Sequence, residues 1–142
     1  MKRIIISVIV LLIIVGVGFF VFKQSQKPLQ KSDLQNLQDN VESISSEGAL
    51  LARESADKQI TDNYKQTQVE YLSDQLKSTQ KKLSSPAESD LANELTEQTT
   101  LANLSGNYLD QLKVAKEPIK AKTVQQNLTE IYQREEYLKT QQ

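Results

Sequence analysis

The stretch from Ile4 to Phe22 constrains this chain more than any other. It is an uncharged run of 19 residues, apolar but for Ser7, with Lys2-Arg3 before it and Lys23 after it. As a helix rising about 1.5 Å per residue it reaches about 28 Å, close to the roughly 30 Å hydrocarbon core of a bilayer. A segment this apolar could otherwise sit only inside a large core, and the remaining residues are too polar to build one. The run is therefore expected to be a transmembrane anchor, with Ile4, Leu11, Val15, Phe19 and Phe22 in lipid.

Three other readings fit less well. A cleaved signal peptide could use Gly16-Val17-Gly18 as its cut site, but Phe19-Phe20-Val21-Phe22 would then open the mature chain with an apolar run. A lipoprotein needs a cysteine, and the sequence has none. A pilin-like leader cut before Phe19 would discard the apolar helix that such subunits keep. Positive charge marks the cytoplasmic side, and Lys2, Arg3 and the amino terminus nearly balance Lys23, Lys27 and Lys31. The short tail resembles an uncleaved signal sequence with its amino end inside. Residues 1–3 are thus expected in the cytoplasm, 4–22 in the membrane, 23–31 as a linker and 32–140 as an extracytoplasmic domain, in keeping with a bacterial envelope.

From Pro28 onward lie all 18 acidic residues and 13 of the 17 Lys and Arg, a net charge of −5. This acidity argues against nucleic acid as a partner, because phosphate contacts need clustered cations. Leu, Gln, Ser, Thr, Lys and Glu dominate, and no run alternates like a half-buried strand. No internal repeat appears. The fold class is all-α: the anchor followed by an antiparallel three- or four-helix bundle.

Ser32 or Asp33 can cap the first helix. Leu34, Leu37, Val41 and Ile44 then form a seam that continues through Gly48, Leu51, Ala52 and Ala56 to Ile60. Thr61 or Asp62 can cap a second helix, with Tyr64, Val69, Leu72, Leu76 and Leu83 inward. Whether 32–84 is one helix or two stays open, with two favoured because no heptad holds through 57–67. Ser85-Pro86-Ala87-Glu88 reads as a capping box with proline at the first helical position, which starts a helix at Pro86. Its inner face is Leu91, Leu95, Leu101, Ala102, Leu104, Ser105, Leu109 and Leu112, running to about Lys116. Pro118 ends it. A last helix turns Ile119, Val124, Leu128, Ile131 and Leu138 inward.

Gly48, Ala52 and Ala56 recur at one-turn intervals, as do Ala102 and Gly106. Small residues so spaced let backbones approach, and the two strips are expected to face each other at a close crossing. Tyr64, Tyr71 and Tyr108 could line a partner or ligand surface, since tyrosine offers area and a polar tip. Glu94 with Glu97, and Glu135 with Glu136, are read as solvated helix faces rather than metal or acid–base sites. With neither histidine nor cysteine, Ser–His and Cys–His nucleophiles are impossible, and no Gly-rich phosphate loop occurs. No cofactor, metal or catalytic residue is expected.

One span followed by an external bundle is similar in outline to the ligand-binding half of bacterial chemoreceptors, in architecture rather than motif and without their second span. The preferred reading is a non-catalytic envelope scaffold or accessory subunit acting through an unidentified protein partner. The rivals are a coiled-coil assembly factor, resembling small single-span proteins of bacterial division complexes, and a small-molecule-binding ectodomain.

Overall fold

The structure, a computed structural model, describes residues 28–141. The expected span 4–22 and residues 23–27 of the linker lie outside them. No described helix is long and apolar enough to cross a membrane.

Four α-helices make up the described chain: α1 (Lys31–Ala56), α2 (Asp62–Leu83), α3 (Ala92–Val114) and α4 (Pro118–Lys139). The region 32–84 is two helices, parted by a turn in which Lys58 takes a positive φ of 56°. Thr61 caps α2, its hydroxyl oxygen accepting from the Tyr64 N–H at 3.2 Å. The first cap falls at Gln30 instead of Ser32 or Asp33. Asp33 serves as its distant half, accepting from the Gln30 N–H at 3.1 Å.

Cross-helix partners give the topology. Gln38 meets Glu135 while Gly48 meets Leu128, so α1 and α4 run antiparallel. Glu70 meets Lys113 and Gln80 meets Ala102, so α2 and α3 do too. Ser45 meets Ser105 and Gly48 meets Leu109, which makes α1 and α3 parallel. This is an up-down-up-down bundle, in which α1 and α3 face each other across a diagonal. They nonetheless touch, whereas α2 and α4 on the other diagonal have almost no contact. The square is flattened because the short diagonal carries small side chains: Ser45, Ala52, Ala102 and Ser105 are each fully buried. The two serine hydroxyls share a hydrogen bond of 2.9 Å.

The leucine seams form the core as their spacing predicts. Leu34, Leu37, Val41, Ile44, Val69, Leu72, Leu76, Leu109, Leu112, Leu128 and Ile131 are all nearly inaccessible to solvent.

Further expectations need correction. The Ser85-Pro86-Ala87-Glu88 signal does not start a helix. Leu29 lies beside this segment as a parallel bridge to Ala87, its N–H donating to Pro86 O at 2.8 Å and its carbonyl accepting from the Glu88 N–H at 3.3 Å. Leu29 and Ala87 both rest on the core, and their backbone pairing outweighs the local cap; a 3-10 turn over Ser89–Leu91 then leads into α3 at Ala92. Helix α3 ends at Val114, and Pro118 opens α4 as its first residue, where its missing N–H costs nothing. Ile119, Tyr64 and Leu104, expected inward, are instead 79%, 50% and 38% exposed, because the buried faces of their helices run through Ala121, Val124 and Leu128, through Lys65, Val69 and Leu72, and through Leu101, Ser105 and Leu109.

The two glycines point to different neighbours. A Cβ on Gly48 would stand 3.0 Å from Leu128 Cδ1 and 3.1 Å from Leu109 Cδ2. One on Gly106 would stand 3.5 Å from Leu76 and Gln80 of α2, an ordinary contact. The α1–α3 approach is therefore made by the serines and alanines, with Gly48 giving room to two leucines and Gly106 facing elsewhere. Leu109 and Leu128 are wholly enclosed and cannot swing aside. Gly106→Ala should therefore stabilise the fold by roughly 0.5–1 kcal/mol through helix propensity. Gly48→Ala gains the same propensity but overpacks the core at about 1–3 kcal/mol, a net loss. Thermal melts of the two variants should move in opposite directions, by a few degrees each.

Candidate functional site

Chemistry in this bundle can come only from side chains that break its leucine pattern, either polar groups inside or apolar groups outside.

The largest internal exception lies at the end where α1 begins. Glu135 of α4 is fully buried between Gln38 of α1 and Gln98 of α3, themselves 1% and 3% exposed. Gln98 Nε2 donates to Glu135 Oε2 at 2.8 Å, and Gln38 Nε2 donates to the Glu135 carbonyl at 3.2 Å. Glu135 Oε1 and Gln98 Oε1 are buried without a hydrogen-bond partner. Burial raises the Glu135 carboxyl from its usual 4.5 to about 7; the two glutamine amides pull it down, and nearby Glu42 and Glu97 push it up. The expectation that Glu135 lies on a solvated face is thus corrected, whereas its neighbour Glu136 is exposed. The sequence did hold a signal: Ala121, Val124, Leu128, Ile131 and Glu135 step by three and four, so Glu135 occupies a seam position.

Around this layer, Arg134 grips Glu97, with Nε 2.8 Å from Oε1. Lys139 bridges Asp39, at 2.6 Å, and Glu42. Both pairs bind the last turns of α4 to its neighbours, and Asp39 with Glu42 holds the Lys139 ammonium above its usual range. A cavity of about 20 Å³, room for one water, is lined by Gln38, Glu94, Glu97 and Gln98. Among the described residues no group of three or more His, Cys, Asp or Glu is placed to hold a metal ion.

At the opposite end Lys65 is the internal exception, only 2% exposed. Its ammonium donates to Ala115 O at 2.6 Å and to Asp62 Oδ1 at 2.9 Å. It thereby satisfies a carbonyl at the negative end of α3, where a cation is favoured.

The external exceptions fall in two places. Tyr64 and Tyr71, 50% and 58% exposed, are seven residues apart and so share one face of α2. Leu50 of α1, 46% exposed, joins Tyr64 along a shallow groove between the two helices. The floor of that groove is Leu51 and Leu72, and Glu47 and Glu54 stand on its rim. Tyr108 does not belong to it; it lies on α3, half-buried against the core. The second place is the α3–α4 corner, where Val114 and Ile119 are 74% and 79% exposed beside Lys120. Sequence periodicity missed Leu50, which lies off the α1 seam, and this corner, because it places Ile119 inside.

The buried carboxyl has a measurable consequence. Its pKa is higher folded than unfolded, so between about pH 4.5 and 7 the folded chain binds the extra proton. Stability from this group is complete below pH 4.5 and is lost as pH rises through 7. Glu135→Gln keeps the amide-like shape without the charge. Denaturant unfolding should show the variant about 2–3 kcal/mol more stable than the parent at pH 8, and nearly equal at pH 4.5.

No protein-family model, no curated protein and no solved structure matches this chain.

Proposed function

We propose that this protein is a non-catalytic scaffold or accessory subunit, tethered to a membrane by residues 4–22 and working through protein–protein contact on the α1–α2 face of its bundle. One observation carries the reading. Leu50 and Tyr64 line a groove of mixed polarity between α1 and α2, Tyr71 stands two turns along the same face of α2, and all three are large side chains left about half in water. Isolated exposed leucines are ordinary, but a row with two tyrosines has the composition of an interface anchor. The alternative of catalysis has little to draw on, since the chain has no histidine or cysteine and its one shifted carboxyl is enclosed. A small-molecule ectodomain would draw its tyrosines around one cavity, whereas Tyr108 stands apart from Tyr64 and Tyr71. On the orientation favoured by the amino-terminal charges, the bundle faces away from the cytoplasm.

A photo-crosslinking residue in place of Tyr71 in the full chain, irradiated in its native membrane, should give a discrete adduct. Leu50→Glu, which puts a charge on the groove while leaving the core alone, should remove most of it. Absence of any adduct, or an adduct indifferent to Leu50→Glu, would count against the docking face.

A further inference from the structure

We infer that the groove's occupant is a second copy of this chain, presenting its α3–α4 corner; this deepens the docking reading above and rests on it.

The two surfaces complement each other in charge. The corner is a knob: Val114 and Ile119 are its most exposed aliphatic side chains, and Lys116, Lys120 and Lys122 surround them. From Lys113 to Lys122 there are four lysines and one glutamate, in a domain that is otherwise acidic. The groove is the converse, an apolar floor under Leu50 and Tyr64 rimmed by Glu47 and Glu54. Knob and groove each leave apolar area in water, and each surrounds it with the charge the other lacks. Lys113 is held by Glu70 of α2, but Lys120 is available for exchange. Lys120 has only an exposed contact of 3.4 Å with Glu117 one turn away, the kind of pair that contributes little.

Position supports the same match. Helix α1 ends, and α3 ends, at the same end of the bundle, and Leu50 is six residues from Ala56, about 9 Å along the axis. Parallel copies standing in one membrane therefore bring knob and groove to a similar height. The α1–α2 hairpin and the α3–α4 hairpin form opposite sides of the bundle. A contact joining opposite sides is heterologous: one copy keeps a free knob and the other a free groove, so copies add side by side into a row instead of closing as a pair.

The test uses the full chain, which has no native cysteine. Two differently tagged forms, Leu50→Cys and Ile119→Cys, are co-expressed and oxidised in the membrane. The expected product is a disulfide-linked pair carrying both tags, at several times the yield of Ile119→Cys with Gln133→Cys, an exposed position near the other end. Lys120→Glu with Lys122→Glu on the Ile119→Cys form should cut that yield at least fivefold. Glu47→Lys with Glu54→Lys on the Leu50→Cys form should restore it. A yield no higher than the Gln133 control, or one unmoved by charge reversal, overturns the inference. Loss of this disulfide while the Tyr71 adduct persists at a mass other than two copies removes self-pairing and leaves the docking face. Loss of both removes both.

Discussion

The bundle depends on one close approach, that of α1 to α3 across a diagonal. In a square four-helix arrangement diagonal helices stay apart and long side chains fill the centre. Here the centre is occupied by Ser45 and Ser105, joined at 2.9 Å, and by Ala52 and Ala102, all shut off from solvent. Because these side chains are short, α1 lies against all three other helices, and α2 and α4 are pushed outward. Gly48 is part of the same arrangement: it leaves the space into which Leu109 and Leu128 fit. The hydroxyls add direction. Each would be a buried polar group without a partner if the other were absent, and such a group costs about 1–3 kcal/mol. That penalty favours the one register in which the serines meet.

A second polar layer constrains the fourth helix in the same way. A stripe of leucines at intervals of three and four can slide by seven residues and still bury apolar surface. A slip of α4 along α1 would take Glu135 away from Gln38 and Gln98 and leave a carboxyl in the core with no donor. Arg134 and Lys139 would lose Glu97, Asp39 and Glu42 in the same movement. The surface pairs are each weak, but they fail together with the buried one. Lys65 does the equivalent at the far end, holding α2 to the last carbonyls of α3. Leucine supplies the drive to collapse, and a few polar residues select among the ways of collapsing.

The seams of α1 and α2 and the break between those helices were legible in the sequence because spacing and capping are local properties. Thr61 caps α2 for the reason its side chain suggests. The Ser85-Pro86 signal misled because its competitor lies 57 residues away in sequence: Leu29 supplies backbone partners that a local reading does not contain. Glu135 was misjudged, and Gln38, Gln98 and Lys65 were passed over, for a different reason. Each sits on a seam, so periodicity places it inside, yet its chemistry argues for the outside. The structure sides with periodicity in all four cases. A polar residue in register with an apolar stripe is thus better read as a buried link between helices than as a break in the stripe. Of the proposed surface, Tyr64 and Tyr71 were singled out with Tyr108 for their chemistry alone, and Tyr64 was also placed inward, whereas the α3–α4 corner depends on where α3 stops.

The same flattening that buries the serines also separates the two surfaces that remain in water. With α1 and α3 drawn together, the α1–α2 and α3–α4 grooves are left on opposite sides, so neither can cover the other within one chain. The helix ends add a second asymmetry. Helix α3 ends at Val114 and α4 begins at Pro118, and the three residues between them are too short a link to carry Val114 and Ile119 back onto the core. Those aliphatics stay outside because of backbone geometry, and the lysines around them keep the corner soluble. An apolar knob that its own chain cannot reach, and an acidic groove that its own chain cannot fill, would each be satisfied by a neighbour in the same orientation, as inferred above. Tethering as proposed would impose that orientation, since copies confined to one membrane lose the freedom to meet in any other way. The entropy of alignment is then met in advance, and surfaces this small can hold together where free chains would separate.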